Sequence, residues 1–328
     1  MKTPPDSFLG RLALASRPSR PWLRVHTSGW WGRVLLAAGA RQAGQDLAGA
    51  NLTGANLTGA NLTGEDLTRA ILNRANLASA NLARANLSSA DLIRANLSLA
   101  HLSGADLTRA YLTGGDLSGA DLTRANLAYA DLTGADLTGA HLSRAHLTGA
   151  YLTDADLSNA DLARVHLTSA YLADANLARA NLADADLARA NLTRADLADA
   201  QLAGANLADA DLSDADLTRA DLAGAQLAGA NLADADLTRA DLTGANLADA
   251  HMTRTNLNRA DLTDADLTRA DLDDAVLIEV VWSERTRWPD ALWGGMRRRS
   301  VPIGGGKWRV QGAGNSGADL EVPPVPVS

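Results

Sequence analysis

The sequence predicts an all-β solenoid, and three observations support this fold class. First, Leu recurs at every fifth position from Leu47 to Leu277, with Met252 as the one substitute. Second, the residue two positions before each Leu is Ala in all but five of the 47 pentads. Third, the residue between Ala and Leu is mostly Asn or Asp. An unbroken five-residue period over residues 45–279 indicates a repeat architecture, not two ordinary domains.

A five-residue period fits neither a long helix nor a straight strand. A helix turns about 500° per pentad, so successive leucines would spiral around it. A strand alternates faces, so an odd period would place consecutive leucines on opposite sides. The Ala and Leu side chains share one side only if each pentad is a short extended piece followed by a two-residue corner. The corner pairs, usually Thr, Ser or Ala followed by Gly, Arg, Asp or Ser, suit exposed turns.

The A-[D/N]-L-x-x pentads resemble the repeats of the pentapeptide-repeat family, over 235 of the 328 residues. The resemblance implies a right-handed quadrilateral β-helix with four pentads per coil, and the pentads then fill about 12 coils. Residues twenty apart would stack, and Tyr111, Tyr151 and Tyr171 do share one such column. Recent duplication of twenty-residue units would give the same pattern. At about 4.8 Å per coil, the rod would be about 55 Å long.

The two flanks are expected to cap the rod or to extend from it. Residues 1–44 predict a basic, Pro-rich arm, in which residues 28–43 form a short amphipathic helix that caps the first coil. Contact with a membrane surface is the alternative for this helix. No transmembrane segment is expected, because the apolar run is short and is interrupted by Arg33. A signal peptide is not expected either, because its apolar region would have to lie in a Pro- and Arg-rich segment. Residues 280–328 predict a C-terminal cap and a disordered tail.

Apolar residues replace polar ones where the repeat ends, at Val276, Ile278, Val280, Val281 and Trp282. The last coil is therefore expected to face either the tail folded over it or a second chain in a homodimer. The following segment WSERTRWP resembles the segment after the last coil of many bacterial pentapeptide-repeat proteins. The three successive glycines at 304–306 are not followed by the Lys-Ser or Lys-Thr of a phosphate loop, so the sequence predicts a linker there.

The sequence offers no catalytic constellation, and we expect a non-enzymatic protein without cofactor or metal. It contains no cysteine, which excludes thiolate chemistry and fits a cytoplasmic protein. Five of its six histidines take the outward pentad position. They are expected to be surface residues, because a convex rod lacks the cleft that an active site needs. An enzymatic role for the flanks is the alternative.

Charge is distributed unevenly along the repeats. Residues 45–150 carry 9 acidic and 7 basic residues, a net charge of −2, whereas residues 151–279 carry 24 and 9, a net charge of −15. A rod with regularly spaced carboxylates presents a negative field, which repels DNA and attracts proteins that bind DNA. Solubility is the alternative reason for this acidity.

Two functions follow as hypotheses. The first is a scaffold that binds another protein, with Tyr111, Tyr151 and Tyr171 as candidate hot spots, although these rings could also serve only to stack along one face. The second is a DNA mimic, because the acidic rod resembles the gyrase-protecting quinolone-resistance branch of the family, which occupies the DNA-binding saddle of a type II topoisomerase. That branch has much Phe at the central position, where this chain has Leu. The candidate phosphate stand-ins are Asp196, Asp211, Asp214, Asp216, Asp234 and Asp236.

Overall fold

The chain forms a right-handed four-sided β-helix, as the repeat predicts. The computed structural model describes residues 47–311; the predicted helix at 28–43 and the end of the tail lie outside them. From Asn51 onward, the outward residue of each pentad pairs in parallel with the residue twenty positions later, up to the bridge between Asp261 and Val281. Four pentads therefore make one coil.

Backbone hydrogen bonds join each coil to its two neighbours. In the pentad centred on Leu162, the Leu162 N–H donates to the carbonyl of Asn181 in the next coil at 2.7 Å. The Asp161 N–H donates to the carbonyl of Ala140 in the preceding coil at 2.9 Å. Each coil is thus stabilised by its nearest neighbours, as in other solenoids.

The Leu and Ala side chains fill the interior of the rod. Leu162 exposes 0% of its surface and Ala160 exposes 1%. Met252, in a leucine position, is also fully buried. Thr255 replaces Ala in one pentad, and its buried hydroxyl donates to the Leu232 carbonyl at 2.7 Å. The Thr hydroxyl therefore keeps a hydrogen-bond partner in the core.

Each corner is a β-turn with a left-handed residue at its second position. After Leu162, the Val165 N–H donates back to the Leu162 carbonyl at 3.1 Å, and Arg164 has a φ of 58°. These features are typical of a type II turn, which favours Gly at this position. Arg, Asp, Ser, Asn, Tyr, Leu and Glu also occupy it here. Since the left-handed conformation costs an L-residue roughly 1 kcal/mol, burial of the leucines must offset that strain.

The Asn or Asp of each pentad faces outward and closes the corner that follows. Asp161 Oδ1 accepts the N–H of Ala163 at 3.2 Å, and Asn126 Oδ1 accepts the N–H of Ala128 at the same distance. This contact is an Asx-turn, which needs only one side-chain oxygen. Asn and Asp therefore serve the fold equally well, and the choice between them sets the surface charge.

Beyond the last coil the chain folds back as a cap. Its elements are β1 (Val281–Ser283), α1 (Asp290–Arg298), β2 (Ser300–Gly304) and β3 (Lys307–Val310). The three strands form an antiparallel sheet in the order β1-β3-β2. The predicted glycine linker instead ends β2 and turns into β3, with Gly305 and Gly306 in the left-handed region.

Trp282 is the centre of this cap and is fully buried. The rings of Trp288, Trp293 and Trp308 surround it, with centroids 6.1, 5.8 and 6.0 Å away. Its indole N–H donates to Ser300 Oγ at 2.9 Å, so the buried ring has no unpaired polar atom.

The five apolar residues at the end of the repeat lie at the junction of rod and cap. Val280 and Trp282 are buried by residues of the same chain. The other three are half-buried: Val276, Ile278 and Val281. The chain's own cap thus covers Trp282, where the sequence allowed either the tail or a second chain.

Candidate protein-binding face

The four sides of the rod are named here by their outward residues. Face A begins at Asn51, face B at Asn56, face C at Asn61 and face D at Asp66, and each continues every twenty residues. A two-residue corner separates each face from the next.

The three predicted tyrosines all lie on face A. Tyr111, Tyr151 and Tyr171 expose 52, 46 and 45% of their surface. Tyr151 and Tyr171 are in adjacent coils, and their rings stack with centroids 4.9 Å apart and an angle of 3° between the planes. Asp131 separates Tyr111 from Tyr151 in the ladder. The β-helix thus brings together side chains that are up to sixty residues apart in sequence.

Further exposed apolar residues border the tyrosines. Ile71 lies on face A itself, Ile93 at the corner toward face B, and Tyr129 at the corner from face D. The sequence analysis missed Ile93 and Tyr129 because they sit at corner positions, in other columns of the repeat. Ile71 shares the column of the tyrosines, so the same twenty-residue spacing could have found it. Six of the seven large exposed apolar side chains of the described rod therefore lie on face A or at its corners; the seventh, Leu99, lies between faces B and C.

Tyr129 lies flat against the rod because the next coil has a glycine beneath it. A Cβ atom added at Gly149 would be only 2.7 Å from Cε1 of Tyr129. Any larger residue at Gly149 would push the ring away from the surface. The glycine therefore lets the Tyr129 ring lie along the corner that borders face A.

The histidines take exposed positions on three faces, as expected. His146 and His166 stack on face D with ring centroids 4.7 Å apart, and His251 lies on face A. Residues 47–311 contain no group of side chains that could hold a metal ion. In the same range, no helix has the length and apolar character needed to cross a bilayer.

The six candidate phosphate stand-ins gather along one edge of the rod. Three form consecutive steps of face B, where their Oδ1 atoms accept backbone N–H groups at 2.8 to 2.9 Å. Two lie at the corner between faces A and B, and one lies on face A. In that order, they are Asp196, Asp216 and Asp236, then Asp214 and Asp234, then Asp211.

An arginine neutralises one of these six carboxylates. Arg254 donates to both oxygens of Asp234, at 2.6 and 2.5 Å, and this hydrogen bonding holds the pKa of Asp234 below its ordinary value of 3.8. Among residues 47–311, the other five candidates form no ion pair. The acidic edge therefore keeps most of its charge.

Comparison with known proteins gives the family. The family described as Pentapeptide repeats matches the chain in eight copies, over residues 39–168 and 170–277. This chain belongs to the pentapeptide-repeat family. Among curated proteins, no sequence matches it significantly.

Several solved pentapeptide-repeat structures are similar to this chain. HetL, from the cyanobacterium Nostoc sp. strain PCC 7120, is a pentapeptide repeat protein involved in heterocyst differentiation regulation. It is 36% identical to this chain, over 66% of this chain and 90% of HetL, with a TM-score of 0.36. Rfr23 from the cyanobacterium Cyanothece 51142 is 34% identical over 34% of this chain and 63% of its own, with a TM-score of 0.23. QnrB1, a plasmid-mediated fluoroquinolone resistance protein, is 16% identical over 68% of this chain and 96% of QnrB1, with a TM-score of 0.34.

Family membership accounts for the rod but assigns no partner, because function lies in particular surface residues. Most outward and corner positions of this pentapeptide-repeat rod carry Asn, Asp, Thr, Ser, Ala, Gly or Arg. Face A departs from that composition most strongly, through its exposed Tyr and Ile side chains. Face A is therefore the candidate binding surface.

Proposed function

We propose that this protein is a non-enzymatic scaffold that binds another protein through face A. The observation that carries the proposal is the concentration of exposed large apolar side chains there, six of the seven on the described rod. Exposed apolar patches on soluble proteins mark interaction sites, and tyrosine is among the residues that dominate binding energy at interfaces.

The β-helix suits this role because it fixes the binding residues before the partner arrives. The backbone beneath Tyr151 and Tyr171 is hydrogen-bonded to both neighbouring coils, and the two rings are stacked. Less side-chain freedom is then lost on binding, which raises the affinity for a given contact area. The flat side of the rod also presents these residues in one plane.

Capture of partners by a matched pair of variants tests the proposal. In the first variant Tyr111, Tyr151 and Tyr171 are changed to Asn, which is a normal residue at this pentad position. The control changes the outward histidines of faces C and D to Asn at His101, His141 and His166. A protein retained from host-cell extract by the wild type and the control, but lost by the tyrosine variant, is the expected result. Equal retention by both variants would contradict binding through face A.

The charge of the rod favours DNA mimicry as a second candidate function. Residues 151–279 carry a net charge of −15 over about 31 Å of rod, or roughly one charge per 2 Å. Duplex DNA carries one charge per about 1.7 Å. A rod with a charge density of this order could occupy the site of a DNA-binding enzyme such as a type II topoisomerase, while itself repelling nucleic acid.

Inhibition of purified bacterial gyrase tests this second function. Supercoiling is titrated with the wild type at two salt concentrations, beside a variant in which Asp211, Asp214, Asp216, Asp234 and Asp236 become Asn. DNA mimicry predicts inhibition that fades as salt rises and disappears in the variant. Absence of inhibition at every dose would exclude gyrase as the target.

A further inference from the structure

Face A contains a slot between two tyrosine rings, and this tyrosine slot consists of Tyr111, Asp131 and Tyr151. Asp131 lies between the two tyrosines in the ladder, and its side chain is shorter than either ring. At about 4.8 Å per coil, the two tyrosines are about 9.6 Å apart. Tyr151 and Tyr171, in adjacent coils, stack at 4.9 Å. One planar group entering at the level of Asp131 would thus meet both rings at nearly the same spacing.

The sides of the slot differ in a way that leaves it accessible. Toward face B, the corner after Tyr111 carries Thr113 and Gly114, with the Arg94 side chain of the preceding coil near Gly114. The corner after Asp131 carries Thr133 and Gly134, and a Cβ atom added at Gly134 would have no atom within 4 Å. Toward face D, the corner beside Asp131 carries the exposed ring of Tyr129. The slot is therefore open beside Gly134, at the level of Asp131, and Tyr129 stands at the corner on its other side.

The base of the slot is an unneutralised carboxylate. Asp131 Oδ1 accepts the Thr133 N–H at 3.0 Å. Within residues 47–311, Asp131 makes no ion pair, even with Arg109 at the corner one coil away. Asp154, at the corner next to Tyr151, is exposed and makes no ion pair in that range either. The slot thus combines two aromatic faces with negative charge.

A guanidinium group satisfies both features of the slot. It is planar, it stacks on aromatic faces, and it forms hydrogen bonds to carboxylates. A lysine ammonium is compact and strongly hydrated and cannot stack as a plane. A neutral aromatic ring would stack but would cover the Asp131 carboxylate without pairing it, which costs free energy.

We infer that the tyrosine slot receives an arginine side chain of the protein that binds face A. The inference rests on the proposed scaffold function and names the chemistry of its partner. The guanidinium stacks between Tyr111 and Tyr151, and its N–H groups donate to Asp131.

Tyrosine ring NMR provides a direct test, because the whole chain contains only four tyrosines. Labelling with ¹³C-tyrosine therefore gives one set of ring signals for each of the four. All four tyrosines lie on face A or at its corner, so these signals report on that face. The probe is the peptide acetyl-Gly-Ser-Arg-Ser-Gly-amide, compared with versions that carry lysine or citrulline in place of arginine. The arginine peptide should shift the signals of Tyr111 and Tyr151 saturably. The citrulline peptide should bind about tenfold more weakly, because its neutral side chain cannot form a charged hydrogen bond. The lysine peptide should also bind more weakly, because its ammonium cannot stack as a plane between the rings.

A matched pair of carboxylate variants isolates the role of Asp131. Asp131→Asn removes the charge but keeps the corner hydrogen bond, since Asn126 Oδ1 makes the same bond to Ala128. Asp121→Asn is the control, because Asp121 holds the same pentad position on face C and accepts the N–H of Thr123 at 3.0 Å. The arginine peptide should bind Asp131→Asn about tenfold more weakly and the control unchanged.

Three results would overturn the inference. They are equal responses to the arginine and lysine peptides, equal shifts of all four tyrosine rings, and unchanged binding by Asp131→Asn. None of them alters the result of partner capture with the three-tyrosine variant. The arginine slot and the scaffold function can therefore fail separately.

Discussion

The buried leucines should supply most of the stability of the rod, and the change Leu162→Ala measures the contribution of one of them. Leu162 lies in the middle of the repeat and exposes 0% of its surface. Truncation to Ala removes three carbon atoms, worth about 2.4 kcal/mol at about 0.8 kcal/mol each. The cavity left behind adds to this loss, and buried Leu→Ala changes cost about 2.7 to 5.0 kcal/mol. We expect a loss of about 3 to 4 kcal/mol in the free energy of unfolding.

Leu47 provides the matched control, because it holds the same pentad position in the first described coil but is only half-buried. Leu47→Ala should therefore cost much less, about 1 kcal/mol. Urea unfolding followed by circular dichroism compares the two variants with the wild type. Since coils of a solenoid can open separately, hydrogen exchange of the backbone amides around residue 162 reports the local loss. If Leu162→Ala lowered the free energy of unfolding by no more than Leu47→Ala does, the stability of the rod could not be assigned to its buried leucines.

Three further predictions concern the cap, a core substitution and the corner ion pairs. Trp282→Ala should destabilise the cap by about 3 to 5 kcal/mol, seen as an early transition in tryptophan fluorescence; no early transition would contradict its central place. Thr255→Val should lower the free energy of unfolding in urea by about 1 kcal/mol, because the hydrogen bond to the Leu232 carbonyl is lost. The control is Thr255→Ala, which introduces the residue that most pentads have at this position. Hydrogen bonds from arginines hold the pKa of four corner carboxylates below the ordinary value of 3.8. The stabilisation that these ion pairs give the folded state is therefore present above pH 3.8. It is lost as the pH falls through the lowered pKa values of the folded state. Unfolding measured from about pH 6 to about pH 3 should therefore show a smaller acid loss when all four become Asn; an unchanged loss would count against the ion pairs. The four are Asp174, Asp199, Asp234 and Asp249.

The solenoid could be predicted from the amino-acid sequence alone, because the five-residue period is a local property of the chain. Leu at the centre and Ala before it can share one side only if the chain turns a corner in every pentad. The family resemblance added four sides, and the bridges between residues twenty apart confirm that number. The tyrosine column followed from the same arithmetic, since Tyr111, Tyr151 and Tyr171 differ by multiples of twenty.

The contacts between corner side chains of adjacent coils, and the segment that covers the end of the rod, became known from the three-dimensional structure. The Tyr129 ring lies along the corner that borders face A because the next coil has Gly149 beneath it, a contact between two corner positions. Arg254 neutralises Asp234 through a side-chain geometry that the repeat does not encode. The cap around Trp282 has no repeat at all, and its tryptophans come together from three elements and a loop. Periodicity fixes the backbone, whereas contacts between long side chains and irregular segments depend on packing in three dimensions.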